Sequence, residues 1–191
     1  MRARITAALD EHRRTAEAMA TALAADIETV ASAIIASYRR GGKLLVMGNG
    51  GSAADAQHFA AELVGRYRRE RRALPALALT VDPSAVTSIA NDYGYDEVFA
   101  RQVRAHARAG DVAVGISTSG NSENVCRGLQ AARAAGAVTV VLGGGEGGRM
   151  RALADHAILA PTESTPRIQE CHIAIIHVLC DLVEEELAHD A

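Results

Sequence analysis

The sequence predicts an α/β fold, a three-layer α/β/α sandwich on a five-stranded parallel sheet with additional helices at the N-terminus. Five short apolar segments alternate with helical segments after position 40, as in a parallel sheet with covering helices. Segments such as KLLVM and VTVVL have the almost uninterrupted apolar character of strands buried on both faces. The chain has 191 residues, 49% of them hydrophobic, which suits one core. We therefore expect a single domain over 1–191, with a helical extension at 1–40 and an α/β core at 41–191.

The N-terminal extension contains no strand signal and is predicted to form two helices or one broken helix. Its apolar residues recur at roughly helical spacing: Ile5, Leu9, Met19, Leu23, Ile27, Val30, Ile34 and Ile35. Because they lie on more than one face, the extension either adds a layer to the same core or packs against a partner subunit. Gly41 and Gly42 then end the helical pattern.

The core begins with the stretch KLLVMGNGGSAADAQHFAAEL at 43–63. It predicts a strand at 43–47, a glycine turn at 48–52 and a helix with Ser52 as its N-cap and Asp55 at the third helical position. The N-terminus of that helix follows the carboxyl end of a strand, where open α/β sheets bind ligands. This turn is therefore expected to bind an anion or sugar oxygens.

His58 and Glu62 are four residues apart on this predicted helix. Their side chains therefore share one face, about 6 Å apart. An ordinary exposed pair is the alternative, but the flanking apolar residues leave little room for a solvated face. We interpret the pair as part of a site.

The remaining chain repeats the strand and helix rhythm. Further strands are predicted at 75–81, 111–117, 137–143 and 156–160. Further helices are predicted at 84–90, at 101–109, after 118–125 as far as about 135, at 149–154, and from about Pro166. The polar stretch 91–99 is expected to be a turn.

The segment STSGNS at 117–122 places four hydroxyls, an amide and a glycine between a strand and a helix. Small residues, free backbone N–H groups and short hydroxyl donors are what a phosphate-binding turn needs. The segment has no lysine of the GxxxxGK[ST] type, and neither glycine turn matches GxGxxG, so a nucleotide ligand is not indicated.

The last predicted helix is apolar on most sides but carries Gln169, His172 and His177. Buried polar groups need partners, and together with His58 and Glu62 these residues favour a site. Gln169 and His177 are eight residues apart, about 12 Å along a helix, so either both side chains lean inward or different subunits supply them.

Composition excludes several classes of function. With aromatic residues at 3%, no tryptophan and a net charge of −3, nucleic-acid binding is not expected, and the basic run at 66–72 is predicted to be a solvated loop or a phosphate-side rim. The three cysteines show no CxxC spacing and are predicted to be buried and unpaired. No signal peptide or membrane-length apolar run occurs, so we expect no membrane association and a cytoplasmic protein.

The motifs GNGGSAADAQHFAAEL, AND at 90–92, GISTSGNSENV and RIQECHIAIIH together resemble the sedoheptulose 7-phosphate isomerases, also called phosphoheptose isomerases. This family belongs to the sugar isomerase (SIS) domain superfamily, whose fold is flavodoxin-like or Rossmann-like. The resemblance extends over almost the whole chain. It implies a homo-oligomer, a tetramer, with sites at subunit boundaries and a phosphorylated sugar as substrate.

The resemblance also implies roles for individual residues. It implies substrate contacts at Asn49, Gly50, Gly51, Ser52, Glu62, Asn91, Asp92, Ser117, Thr118, Ser119, Ser122 and Gln169. It implies one zinc ion per subunit, held by His58, Glu62, Gln169 and His177. It implies that Glu62 and His177 form the catalytic acid–base pair.

The function that this resemblance implies is aldose–ketose isomerisation of sedoheptulose 7-phosphate to D-glycero-D-manno-heptose 7-phosphate through an enediol. Two alternatives remain. One is a non-catalytic relative that associates with the bacterial replication initiator; it lacks equivalents of Glu62 and His177, which this chain has. The other is an isomerase of the same kind for a different phosphosugar.

Overall fold

The fold is described from a computed structural model, which describes residues 1–188; the last three residues of the predicted core lie outside the described residues. The strands are β1 (Leu44–Gly48), β2 (Ala76–Ala78), β3 (Val112–Ile116), β4 (Val138–Gly144) and β5 (His156–Ala160). The helices are α1 (Arg2–Ala22), α2 (Ala24–Arg39), α3 (Gly51–Val64), α4 (Pro83–Tyr93), α5 (Val98–His106), α6 (Glu123–Ala134), α7 (Gly148–Arg151) and α8 (Thr165–Leu187). A 3₁₀ turn, Tyr95–Glu97, precedes α5.

The five strands form one parallel sheet in the order β2-β1-β3-β4-β5. The chain therefore runs outward in one direction from β1 to β2 and then returns to the other side of β1 with β3. This reversal is the switch point at which doubly wound sheets bind their ligands. The predicted α/β sandwich with a five-stranded parallel sheet is confirmed.

Side chains from the two faces of the sheet enter two separate cores. In β1, Leu44 and Val46 pack into the core beneath α2, α3 and α8, whereas Leu45 and Met47 pack into the core beneath α5 and α6. Because successive side chains of a strand point to opposite faces, a strand covered on both sides must be apolar at every position. All five residues of β1 are buried, as this requires.

Several predicted boundaries are wrong by a few residues. The second strand is three residues long instead of the predicted 75–81, and α4 continues through Tyr93 into the predicted polar turn. Helix α3 begins at Gly51 with Gly50 as its N-cap, so the predicted N-cap role of Ser52 and the capping position of Asp55 are wrong. Gly50 has φ +56°, a conformation that glycine adopts without strain, and it turns the chain two residues earlier than Ser52 would.

The N-terminal extension forms two helices, as predicted. None of the residues of α1, all of which the structure describes, is buried, and Ile5 and Leu9 are exposed. Helix α1 contacts α8 through a 2.7 Å bond between His12 Nδ1 and Glu170 Oε2. Within residues 1–188 no single helix is long and apolar enough to cross a membrane, although α1 and α2 taken together, bent by 66°, pass that test of length and composition.

The predicted basic loop lies between α3 and β2, and we call residues 65–75 the arginine loop. Most of its arginines are exposed, as predicted. The prediction of a fully solvated loop is wrong for Arg71, whose side chain is 1% exposed and lies beside the fully buried carboxylate of Glu184 in α8. A buried charge is expensive unless it is paired and hydrogen-bonded, which is the case here.

The carboxylate of Glu184 accepts three backbone N–H bonds, from Tyr67 at 2.9 Å, Arg68 at 2.6 Å and Arg69 at 2.7 Å. Burial by itself raises the pKa of this carboxyl, but the three N–H donors and Arg71 outweigh it and hold the pKa below its ordinary value. A carboxyl with a lowered folded-state pKa stabilises the fold above its unfolded pKa, about 4.3, and loses that contribution as the pH falls through the folded value.

We therefore expect Glu184→Gln to destabilise the fold most near neutral pH. The difference in unfolding free energy between wild type and variant should narrow as the pH falls below about 4. Urea unfolding at a series of pH values measures it. Glu97, Glu123 and Asp155 also have lowered pKa values, but they are common to both proteins and cancel in the difference. A difference that is the same at every pH would contradict the assignment.

Candidate active site

The turns after β1 and β3 lie side by side at the switch point. Gly48, the last residue of β1, is paired in register with Ile116, the last residue of β3. The glycine turn at 48–52 and the serine turn at 117–122 therefore begin side by side, at the carboxyl ends of two adjacent strands. The chain then continues into α3 below one face of the sheet and α6 below the other, which opens a crevice between them.

In the glycine turn, Asn49 is tied to two residues that the sequence analysis did not single out. Its side-chain amide pairs with that of Asn124, each amide nitrogen 2.9 Å from the other's oxygen, and Tyr95 donates its hydroxyl to Asn49 Oδ1 at 3.1 Å. Asn124 is buried at the start of α6. Its place in the sequence, directly after the hydroxyl-rich turn, was the only signal that could have drawn attention to it.

Gly51 lies against the amide of Gln169 from α8. A Cβ placed on Gly51 would be 2.5 Å from Gln169 Nε2, so a larger residue there would displace the Gln169 amide. The structure thus brings Gln169 to the glycine turn. Gln169 is half-buried, and so is His177, whereas His172 is fully buried and bonds its Nε2 to the carbonyl of Gly143 at 2.9 Å. Burial lowers the pKa of His172, which favours its neutral form.

The serine turn forms a small cradle of hydroxyl groups. Ser117 Oγ lies 3.0 Å from Ser122 Oγ and 3.5 Å from Ser119 Oγ, and Ser122 is the N-cap of α6. The first backbone N–H groups of a helix have no partners within it and carry partial positive charge, so the cradle suits a phosphate. Thr118 is half-buried in the same turn.

Gly120 sets the shape of this cradle. It has φ +65°, and the loop after β4 crosses directly over it, so that a Cβ on Gly120 would overlap the carbonyl group of Gly147. The loop is also joined to the turn by a bond from Arg149 N to Asn121 Oδ1 at 3.1 Å. The loop after β4 therefore packs directly on the cradle.

The acid–base candidates meet where α3 lies against α8, with His58 seven residues and Glu62 eleven residues along α3 from Gly51. His58 Nε2 in α3 lies 3.0 Å from His177 Nε2 in α8 and 3.4 Å from Glu62 Oε1. His58 and His177 of one chain meet here, whereas the amide of Gln169 lies at Gly51, seven residues before His58 on α3. A bond between two imidazole nitrogens needs a proton on one and a lone pair on the other, which makes the pair a short proton relay.

Two further residues border this cluster and were not predicted to belong to it. Asp55 lies one turn before His58; burial raises the pKa of its carboxyl, an effect that His58 partly offsets. Its Oδ2 is buried and has no hydrogen-bond partner among the described residues. The Tyr67 ring, from the arginine loop, stacks on the His177 ring with centroids 5.5 Å apart and planes 29° apart.

Comparison with known proteins decides the family. Residues 9–144 match the SIS domain family. A phosphoheptose isomerase from a Geobacter species is 57% identical over 183 residues, which cover 96% of this chain and 95% of the relative. The structure of a phosphoheptose isomerase from Neisseria gonorrhoeae superposes with a TM-score of 0.91 at 44% identity, covering 96% of this chain and 98% of that one. The chain belongs to the phosphoheptose isomerase family.

A second solved phosphoheptose isomerase, from Francisella tularensis, gives a TM-score of 0.93 at 34% identity and covers 95% of this chain and 97% of that one. The family and the fold predicted from the sequence motifs are thereby confirmed. The match to these relatives extends nearly to the end of α8, the helix that carries Gln169 and His177.

Not every residue that the family resemblance implied joins the crevice by a direct contact. Asn91 and Asp92 are exposed at the end of α4, and the amide of Asn91 bonds to Asp92 Oδ1 at 2.9 Å. Tyr95, three residues after Asp92, donates a hydrogen bond to Asn49 and so links this segment to the glycine turn. Ser52 is buried in the first turn of α3. The substrate contacts of these residues stay predictions.

The donor chemistry of His58, Glu62 and His177 fits zinc. Two imidazoles and a carboxylate are typical ligands of catalytic zinc, and two nitrogens bound to one tetrahedral ion lie roughly 3.3 Å apart. The distances of 3.0 and 3.4 Å around His58 Nε2 are close to that value. Nevertheless, no group of three or more His, Cys, Asp or Glu side chains in residues 1–188 is arranged to hold a metal ion. The two imidazoles bond each other, so they would have to separate slightly to admit the ion.

Proposed function

We propose that this protein is a sugar-phosphate isomerase that interconverts sedoheptulose 7-phosphate and D-glycero-D-manno-heptose 7-phosphate. The observation that carries the proposal is the meeting of His58, Glu62 and His177 along α3, the helix that begins at a glycine turn next to a phosphate-type cradle. Membership of the phosphoheptose isomerase family supports the same reaction. Proton transfer between adjacent carbons needs a base at one end of the substrate and an anchor at the other, and we propose Glu62 for the first and the serine turn for the second.

The phosphate of the substrate is proposed to bind in the serine turn, with Ser117, Thr118, Ser119 and Ser122 as donors. The glycine turn then faces the middle of the sugar with Asn49, Gly50 and Gly51. Gln169 would contact the sugar from α8, since its amide lies at Gly51. Asn91, Asp92 and Ser52 complete the proposed binding residues. Binding the phosphate fixes the reacting carbons near Glu62 and converts proton transfer into an intramolecular step.

The carboxylate of Glu62 is proposed to remove a proton from C1 of the ketose and to return it to C2. His177 gives a proton to O2 as the enediol forms and takes one from O1 as the aldehyde forms, so that protons balance over the reaction. While no metal lies between the two imidazoles, the bond to His58 gives His177 a partner with which to exchange that proton. His58 is the residue that contacts both proposed catalytic groups, at 3.0 Å from His177 Nε2 and 3.4 Å from Glu62 Oε1.

We also propose one zinc ion per subunit, with His58, Glu62, Gln169 and His177 as its ligands. When bound, it would polarise the substrate carbonyl and lower the cost of the negative charge that develops there. We expect treatment with a strong chelator to reduce turnover about tenfold or more, and stoichiometric zinc to restore it. Metal analysis beside the assay is the check. Full turnover by protein that holds less than a tenth of an equivalent of zinc would contradict the proposal.

A homotetramer in the cytoplasm is the proposed state of the protein. The exposed apolar residues of α1, among them Ile5 and Leu9, support an assembly in which a partner subunit covers them. The three cysteines are free and buried, as is common in a reducing compartment. Native mass spectrometry tests the assembly, and a mass of one chain would contradict it.

The reaction itself is tested by incubating the purified protein with sedoheptulose 7-phosphate and following aldoheptose phosphate by NMR. A panel of other ketose and aldose phosphates, run in parallel, separates this substrate from related ones. Turnover of sedoheptulose 7-phosphate at a rate well above the rest of the panel supports the proposal. Faster turnover of another phosphosugar would reassign the substrate, and no turnover of any would overturn the isomerase.

A further inference from the structure

The arginine loop touches both helices that carry the proposed acid–base pair. At one end, Arg71 donates to the backbone carbonyl of Glu62 at 2.8 Å and to that of Leu63 at 2.9 Å. The same guanidinium also donates to the carbonyl of Gly65 at 3.1 Å. The last carbonyls of a helix have no partners within it, so Arg71 caps α3 at the turn that contains Glu62.

At the other end, Glu184 anchors the loop to α8. It lies seven residues after His177, two turns further along the same helix, and its carboxylate holds the N–H groups of residues 67–69. Arg71 Nε lies 3.4 Å from Glu184 Oε1, so the two buried charges neutralise each other. The pair therefore links the end of α3 to α8 through groups that are closed to solvent.

The anchored loop places Tyr67 on the His177 ring. The backbone N–H of Tyr67 is one of the three that Glu184 holds, and its ring stacks on His177 at 5.5 Å. The guanidinium of Arg68 lies over the Tyr67 ring, 5.3 Å from its centroid. The side chain of His177 is thus bounded by the His58 ring at 5.1 Å and by Tyr67 at 5.5 Å, which restricts its rotation.

We propose that Tyr67, Arg71 and Glu184 are positioning residues of the isomerase site, which hold His177 on α8 and Glu62 on α3 in fixed positions relative to each other. Tyr67 orients the His177 imidazole by stacking, and the Arg71–Glu184 pair fixes the loop that carries Tyr67. The inference rests on the proposed function only for its effect on turnover. Its geometric part concerns the ring of His177 and holds whatever the substrate is. Misplacing a reacting group by 1 Å can cost about 100-fold in rate.

The first test compares Tyr67→Leu with Tyr67→Phe. We expect Tyr67→Leu to lower kcat about tenfold with KM changed less than about twofold, because phosphate binding is untouched and only the imidazole is misplaced. Tyr67→Phe keeps the stacked ring and should retain most of the wild-type kcat. Equal losses in both variants, or none in Tyr67→Leu, would overturn the positioning role.

The matched control is Tyr38→Phe. Tyr38 is buried in α2, and its hydroxyl bonds to the carbonyl of Pro75 at the far end of the same loop, at 3.2 Å. Removing that hydroxyl should lower stability without changing kcat. If kcat fell in Tyr38→Phe as far as in Tyr67→Leu, the effect would be a general loss of stability and the proposal would fail.

A second readout does not depend on catalysis. The ring resonances of His177, assigned in NMR spectra by their absence from His177→Gln, should shift in Tyr67→Leu and in Glu184→Gln but not in Tyr38→Phe. Trypsin, which cleaves after arginine, should also cut the arginine loop faster in Glu184→Gln. If the wild type proves inactive while these shifts occur, only the proposed function fails. Unmoved His177 resonances would overturn this inference even in an active enzyme.

Discussion

Glu62→Gln should lower isomerisation about 10³-fold while leaving the fold and phosphate binding intact. Glutamine keeps the shape of the side chain and its place on α3 but cannot accept a proton from carbon. General acid–base catalysis contributes roughly 10²–10⁴ in rate, so we expect turnover to fall about 10³-fold, equivalent to ~4 kcal/mol of transition-state stabilisation. The measurement is kcat for sedoheptulose 7-phosphate by NMR, with binding of inorganic phosphate measured in parallel by calorimetry.

The matched control for Glu62→Gln is Glu186→Gln. Glu186 lies on α8 at the surface and is paired with Arg39 at 3.1 Å, so the substitution removes the same charge far from the crevice. Surface pairs of this kind contribute little, and kcat should not change. A Glu62→Gln variant that keeps a tenth or more of wild-type kcat would remove Glu62 from the proton transfer, and the base would have to be another group in the crevice.

Local patterns predicted those parts of the molecule that depend on residues close together in the chain. The strand before the glycine turn and the buried character of β4 follow from apolar composition, because a parallel strand covered on both sides has no polar face. The shared face of His58 and Glu62 follows from the geometry of one helix turn. The strand order follows less directly, since parallel strands need crossovers but the sequence does not state which strands become neighbours.

The contacts that complete the site join residues far apart in the sequence, and these were missed. Asn124 pairs with Asn49 across 75 positions, and Glu184 meets Arg68 across 116. The composition of residues 66–72 predicts a solvated loop. No residue close to Arg71 in the sequence indicates that Glu184, on the last helix, will lie beside it. The helix start was misplaced for a different reason. Ser52 is a good N-cap residue, but Gly50 can adopt a positive φ and ends the turn before the chain reaches it.

Gly120→Ala should disrupt the serine turn more severely than the loss of any one hydroxyl. Alanine at φ +65° costs roughly 1–2 kcal/mol from backbone strain alone. Here the new Cβ would also overlap the carbonyl of Gly147 and come within 2.9 Å of Gly148 N, both backbone groups that cannot rotate away. The loop after β4 must therefore move, and with it the cradle formed by Ser117, Ser119 and Ser122. We expect KM for the sugar phosphate to rise at least about tenfold, because one lost charge-assisted phosphate contact is worth roughly 1.5–3 kcal/mol.

Gly41→Ala is the control for Gly120→Ala, because it introduces backbone strain at a positive φ without steric overlap. Gly41 has φ +77°, close to that of Gly120, but a Cβ there would have no atom within 4 Å, and it lies before β1, at the end of the sheet away from the crevice. The strain should lower its melting temperature by several degrees, since a loss of 1 kcal/mol moves the midpoint of a domain this size by about 2–4 °C. KM should stay at the wild-type value. If Gly41→Ala and Gly120→Ala changed stability equally and neither changed KM, the serine turn would not be the phosphate site, and the anchor of the substrate would have to lie elsewhere in the crevice.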